Sequence, residues 1–331
     1  MFHVVYCLLP IVYCLLPYKR PCYTFDWMDG NTKYLRYTWF VLVMVFLVII
    51  AGGVVRMTQS GMGCPDWPRC FGRWIPPVNA SQLPPDFEKY LRQQDIDHTF
   101  NVYHTWIEYI NRLLGALLGV FIFIHALWSF IKFRKTGRRI VLISFLMLLA
   151  VGFQGWLGKK VVDANLAVVK ITVHMIVALI IAALPLLIIA ALTNNKVAAG
   201  KFLKRMSVIA LLLLLIQVIL GTEVREQIDE ISKTLNYSQR SSWISRLDNY
   251  FLIHRSFSWI VAAICLVVYW KSRSIPQLRQ QGFFILSLVS FSILMGLVMY
   301  FTGIPALAQP LHLLSAALLV ITLFYFRLRM K

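Results

Sequence analysis

Charge is what this sequence has least of. Only 14% of its 331 residues are Asp, Glu, Lys or Arg, where a soluble domain carries about a quarter. With 59% hydrophobic residues and a mean hydropathy of +0.69, that shortage excludes a soluble globular chain and points to a polytopic membrane protein. Acids are scarcer still, 14 against 33 Lys and Arg, for a formal net charge of +19. The excess does not signal nucleic acid, because the basic residues fall in short breaks between apolar runs, as the positive-inside rule expects. The first 27 residues lack the basic start and small-residue cleavage site of a signal peptide and the arginines of a transit peptide. They hold a perfect repeat instead, VYCLLP at 5–10 and 12–17, whose prolines argue against a span. Residues 1–27 are read as a doubtful leader, a duplication ahead of an initiator at Met28.

Eight apolar segments remain, each long enough to cross a bilayer with about 20 residues. They run roughly 37–55, 105–131, 140–158, 171–192, 206–222, 250–270, 283–304 and 310–326. The breaks that hold Lys132 to Arg139, Lys196 to Arg205, Lys271 to Arg279 and Arg327 to Lys331 contain no acid. The breaks 56–104, 159–170 and 223–249 are longer or mixed. This alternation puts both termini inside. The fold expected is an all-α integral membrane protein: eight transmembrane helices as two tandem, pseudo-symmetric four-helix bundles, residues 28–200 and 201–331.

Of six cysteines, Cys7, Cys14 and Cys22 fall in the leader, and Cys265 reads as a small packed residue. Cys64 and Cys70 sit in GMGCPDWPRCFG on the first outer loop. On an oxidising side such a pair can close a disulfide. A two-thiolate metal site or a cycling redox pair is the alternative, although two thiolates are too few for structural zinc.

The second half echoes the first in order. AGGVVRMTQSG at 51–61 matches LGTEVREQID at 220–229, and EYINRLLGAL at 108–117 matches FLIHRSFSWI at 251–260. GFQGWLGKKV at 152–161 matches MGLVMYFTGI at 295–304 loosely, and KITVHMIVAL at 170–179 matches QPLHLLSAAL at 309–318. His174, His254 and His312 thereby fall near the outer ends of even-numbered spans, about 6–10 Å deep at the helical rise. Asn111 takes the fourth such place. Ionisable residues inside spans are functional candidates, and two histidines on facing helices of a bundle can ligate a haem axially. His254 and His312 would clamp one haem; His174 would supply one ligand opposite Asn111. Copper or zinc would want three or four ligands in one small sphere.

These residues resemble the haem A synthases, bacterial and mitochondrial. The resemblance runs from about residue 37 to the end, on GGVVRMTQSGMGCPDWPRCFGR, the Glu-x-x-His-Arg-like EYINR and the histidines of spans four, six and eight. It implies oxidation of the C8 methyl of haem O to a formyl group by successive hydroxylation, giving haem A for cytochrome oxidase assembly. It implies haem b between His254 and His312, haem O in the N-terminal half with His174 on its iron, Glu108 as the catalytic glutamate, and Cys64 and Cys70 as the outer-loop pair. The family commonly has histidine where this chain has Asn111, and an amide is a poor iron ligand. Three readings follow: His174 holds haem O alone and leaves an open iron position; His104, which shares a helix face with Glu108 and Asn111, replaces the ligand; or the half-site has lost activity. The first is favoured, because oxygen activation needs an open position and His104 lies about 10 Å outward of residue 111.

Glu108 is expensive in hydrocarbon; beside an acid–base or electrostatic role stands an ion pair with Arg112 one turn on. Arg112 and Arg255 suit haem propionates or snorkel to the interface. His125 reads as a packed histidine and His98 as solvated. Asp66, Trp67 and Arg73 shape the loop over a haem edge. Gly115, Gly119, Gly152 and Gly155 are expected to allow close helix contact. The rivals are a two-haem membrane cytochrome passing electrons from quinol, and a haem chaperone that leaves its cargo unaltered. Partners expected are membrane lipid and haem O, with haem O synthase, an electron donor and a homo-oligomer left open. The membrane expected is the bacterial plasma membrane, with the mitochondrial inner membrane as the alternative.

Overall fold

A computed structural model describes residues 30–91, 100–163 and 168–331; the leader 1–27 and His98 lie outside the described residues. The chain is all-helical and builds a multi-pass membrane protein from eight helices long and apolar enough to cross. We name these α1 (Gly30–Met57), α2 (Val102–Phe133), α3 (Arg138–Asp163), α4 (Val168–Thr193), α5 (Lys201–Thr234), α6 (Asn249–Ser272), α7 (Pro276–Thr302) and α8 (Ala308–Leu328). Helices are the outcome that lipid enforces, because each backbone N–H and C=O must find its partner within the segment. Local signals set the ends: Asn101 caps α2 by accepting from the N–H groups of Tyr103 and His104, and Gly303 stops α7 at φ +72°.

Helices α1, α2, α3 and α4 close one ring of neighbours, and α5, α6, α7 and α8 close another. The seam between them is α8, which packs on α1 and α4 as well as on its own ring. Ile321 and Tyr325 of α8 join the core of Trp39, Leu42 and Ile189, while Leu319, Leu323 and Phe326 join that of Ala210, Cys265 and Ile285. A Thr172–Thr222 hydroxyl contact of 2.9 Å adds a polar tie across α4 and α5. Cys265 is a buried free thiol. His125 is fully buried, with Nε2 3.1 Å from the Thr38 hydroxyl and Nδ1 3.5 Å from that of Tyr34, a packed histidine as read from the sequence.

One boundary departs from expectation. The fifth span was expected to stop at 222, yet α5 runs 34 residues to Thr234, about 51 Å at the helical rise and well beyond a hydrocarbon core of about 30 Å. The extra turns, EVREQIDEISKT, are half Glu, Gln, Arg and Lys, which favour helix, and are braced by the Arg225–Asp229 pair at i, i+4.

Candidate functional site

The polar turn of α2 is fastened to the loop ahead of it. Glu108 is 4% exposed. Its Oε2 accepts the Cys64 N–H at 2.7 Å, and its Oε1 accepts from Arg112 Nε at 3.1 Å and Nη2 at 2.5 Å. Arg112 also donates through Nη1 to the carbonyls of Asp66 and Arg69 and through Nη2 to that of Cys64. All five guanidinium N–H groups are thus engaged. Cys64 and Cys70 are joined in a disulfide, and within that loop the Asp66 carboxylate accepts the N–H groups of Phe71 and Gly72. Gly63 lets the loop press on the helix: a Cβ there would lie 2.4 Å from the His104 carbonyl oxygen. Thr105 Oγ1 donates to the Gly63 carbonyl at 2.9 Å. The disulfide loop therefore sets where the Glu108 carboxylate sits.

That carboxylate faces a cavity of about 870 Å³ between α1, α2, α3 and α4, lined also by Asn111 and His174. One end of it meets Trp67 of the loop. The Asn111 amide has no hydrogen-bond partner among the described residues, and its Oδ1 is buried. His174 Nδ1 is likewise buried and unpartnered, while the His174 carbonyl accepts Gln154 Nε2 at 3.0 Å. The glycines correct the sequence reading. Gly115, Gly119, Gly152 and Gly155 do not bring helices together; a Cβ on any of them would meet nothing within 4 Å, and all four line the cavity with Gly52. The missing side chains make room for a ligand, and walls flattened in this way suit a flat apolar one. Helix contact through glycine occurs at Gly53 instead, where a Cβ would stand 3.2 Å from Leu313 and 3.3 Å from Pro310.

A charged cluster missed in the sequence closes the loop end of the cavity. Arg56 of α1 and Arg225 of α5 both pair with Asp229, the second at 2.8 Å. Arg225 also bonds the Gln309 side chain of α8 and the Arg56 carbonyl. Arg56, Glu226, Asp229, Glu230 and Lys233 line the cavity, so the added turns of α5 serve as its roof. The one available signal was the Val-Arg that follows a span-ending glycine in both halves.

In the second ring His254 and His312 face each other, with ring centroids 6.4 Å apart and planes at 68°. Two imidazoles sharing one ion at about 2 Å per bond have centroids roughly 6 Å apart. His312 Nδ1 lies 2.9 Å from the Ser292 carbonyl, which makes it the donor and leaves Nε2 free, the usual state of a ligating imidazole. Gln217 Nε2 donates to the His254 carbonyl at 3.0 Å, as Gln154 does to that of His174. Glycine backs each ring: a Cβ on Gly158, Gly221 or Gly296 would lie 3.6, 3.1 or 3.8 Å from Cε1 of His174, His254 or His312. This pairs Gly158 with Gly296, five residues off the loose match that sets Gly152 opposite Met295.

Arg112 lines the cavity, but Arg255 and His104 sit elsewhere. Arg112 has no donor left for a propionate. Arg255 is exposed, its guanidinium 5.8 Å from the centre of the Phe251 ring. His104 is outside the cavity lining, under the disulfide loop. Among the described residues no three His, Cys, Asp or Glu gather as a metal cluster.

Comparison with known proteins gives a consistent result. The COX15-CtaA family profile, described as a cytochrome oxidase assembly protein, matches residues 35–324. A protein of Flavobacterium johnsoniae named heme A synthase is 24% identical over 320 residues, 86% of this chain and 93% of its own length. A heme A synthase of Novosphingobium aromaticivorans is also 24% identical, over 86% of this chain and 91% of its own. A match to the heme A synthase of Shewanella oneidensis is 26% identical and spans 56% of each chain; that to the heme A synthase of Beijerinckia indica spans 45% of each.

Proposed function

This chain belongs to the COX15-CtaA family of cytochrome oxidase assembly proteins, and we propose that it is a haem A synthase, oxidising the C8 methyl of haem O to a formyl group by successive hydroxylation. One observation carries the reading: a glycine-walled cavity of about 870 Å³ that Glu108, Asn111 and His174 line together. Its size is that of a site for a large organic ligand. An electron-transfer cytochrome has no use for a buried carboxylate on an enlarged cavity, and a chaperone has none for one positioned so tightly.

The residues divide the work. His174 offers its imidazole to the iron of haem O. Gly52, Gly115, Gly119, Gly152 and Gly155 admit the ring. Glu108, fixed by the Cys64 N–H and Arg112, presents a carboxylate to the reacting edge, where it takes up a proton or favours developing positive charge. Arg56 offers a guanidinium at the cavity wall for a propionate, the role expected of Arg112. His254 and His312 would hold haem b: their spacing, the Ser292 carbonyl behind His312 and the buried unpartnered Nδ1 of His254 suit a pair of imidazole ligands. When bound there, haem b supplies one-electron chemistry. The membrane is the bacterial plasma membrane, with both termini inside and the disulfide loop outside.

The test is pigment analysis. The chain is expressed with haem O available, and the extracted haems are separated. Haem A is the expected product. Its absence from preparations that retain haem b sinks the proposal.

A further inference from the structure

The α2–α4 pair departs from the α6–α8 pair at one position. Where α6 presents His254, α2 presents Asn111, and Asn111 shares its cavity with His174. Among the described residues no second histidine lines that cavity, and His104 is held outside it. Carboxamides are weak ligands for haem iron, but their N–H groups are good hydrogen-bond donors. The Asn111 amide is available for that use. The side chain makes no hydrogen bond among the described residues: Oδ1 is buried without a partner and the N–H groups are uncommitted.

We propose that haem bound in this cavity is five-coordinate, with His174 as its only protein ligand, and that Asn111 stands over the open iron face as a hydrogen-bond donor. This rests on the reading of the cavity as the haem O site and sharpens it. The two haem positions then differ in kind. His254 and His312 close both faces of one iron, whereas the cavity leaves one face of the other exposed to a small molecule under an amide. The glycine walls around Asn111 keep that face clear, because none of the four corrected glycines puts a side chain into the space.

Carbon monoxide tests this directly, since ferrous haem with a vacant position binds it and bis-histidine haem resists it. The full-length protein, loaded with haem b and haem O, is reduced with dithionite and titrated with the gas, and its haem content is counted separately. Two haems per chain are expected, of which one binds carbon monoxide. His174→Ala should remove the reactive haem and keep the inert one, whose spectrum also reports an intact fold. Asn111→His should keep both haems but turn the reactive one low-spin and inert. Asn111→Leu, which has similar size and no donor, should keep the reaction and speed loss of the gas about three- to tenfold, the worth of one hydrogen bond. Two low-spin, inert haems in the unaltered protein overturn the inference and leave the cavity reading standing. A single haem per chain that His174→Ala does not disturb overturns the cavity reading, and the inference with it.

Discussion

The α6–α8 pair and the α2–α4 pair are built alike and end up opposite in character. In the first, two imidazoles face each other at 6.4 Å, one is tethered to a backbone carbonyl, and a glycine backs the other at 3.1 Å. In the second, the walls open into about 870 Å³, one imidazole is untethered, and the other position is an asparagine whose buried Oδ1 has no hydrogen-bond partner. The same arrangement of helices is thus tuned by two devices. One is whether a ring nitrogen is buttressed, which fixes a ligand's direction. The other is whether further glycines face empty space, since a glycine backs the ring in both halves. A clamp with both faces filled suits a permanent group; an open slot with a positioned carboxylate suits a molecule that must enter, react and leave.

The sharpest way to break this comparison is to remove a ligand from each side. His254→Ala and His312→Ala should each abolish the resident haem, read as haem per chain, while His174→Ala should leave it in place. Equal losses from all three would show that the halves are not separate sites. Next in size is Glu108→Gln, which keeps the shape and most of the hydrogen bonds. Haem A formation is expected to fall about a hundredfold or more, with haem b content unchanged. Full activity in that variant would reduce Glu108 to an anchor for the disulfide loop.

Much of this was legible in the sequence because the signals are local or repeated. Span count follows from apolar run length, the Glu108–Arg112 pair from i, i+4 spacing, and the Cys64–Cys70 link from six-residue separation. That His254 and His312 face each other was anticipated because the repeat put them at equal depth. The glycines were misread for a physical reason: a missing Cβ makes room, and sequence does not say whether a helix or a ligand takes it. Gly53 and Gly52 are neighbours and answer differently. Arg56 and Asp229 were invisible as a pair because 173 positions separate them. The final turns of α5 were lost because their charge reads as loop until the Arg225–Asp229 brace is seen.

Glycine substitutions sharpen the comparison at a smaller scale. Gly119→Leu adds a side chain where a Cβ meets nothing, so the fold is not strained, and leaving glycine behind favours the helix by up to about 1 kcal/mol. Thermal stability should hold or rise, while the apparent KM for haem O rises about tenfold or more. Gly221→Ala is the mirror case. Its Cβ would sit 3.1 Å from His254 Cε1, so that ring must shift, and the haem b spectrum should change with haem O binding unaffected. If Gly119→Leu instead lowers stability and spares KM, the wall is a helix contact after all.

The smallest effect is expected at the roof. Asp229 pairs with Arg56 and Arg225, and its side chain is 29% exposed. Pairs open to solvent to that extent contribute little, about 1 kcal/mol or less, but Asp229→Asn leaves two guanidinium groups facing each other across α1 and α5. The variant should lower the apparent Tm by a few degrees at most and keep both haems. Combined with Arg56→Gln it should lose less than the two single changes added together, because residues in one network couple. Loss of haem O from the cavity with stability unchanged would show that Arg56 does not hold the ligand alone: Asp229 and the last turns of α5 would then be part of the binding site and not only its cover.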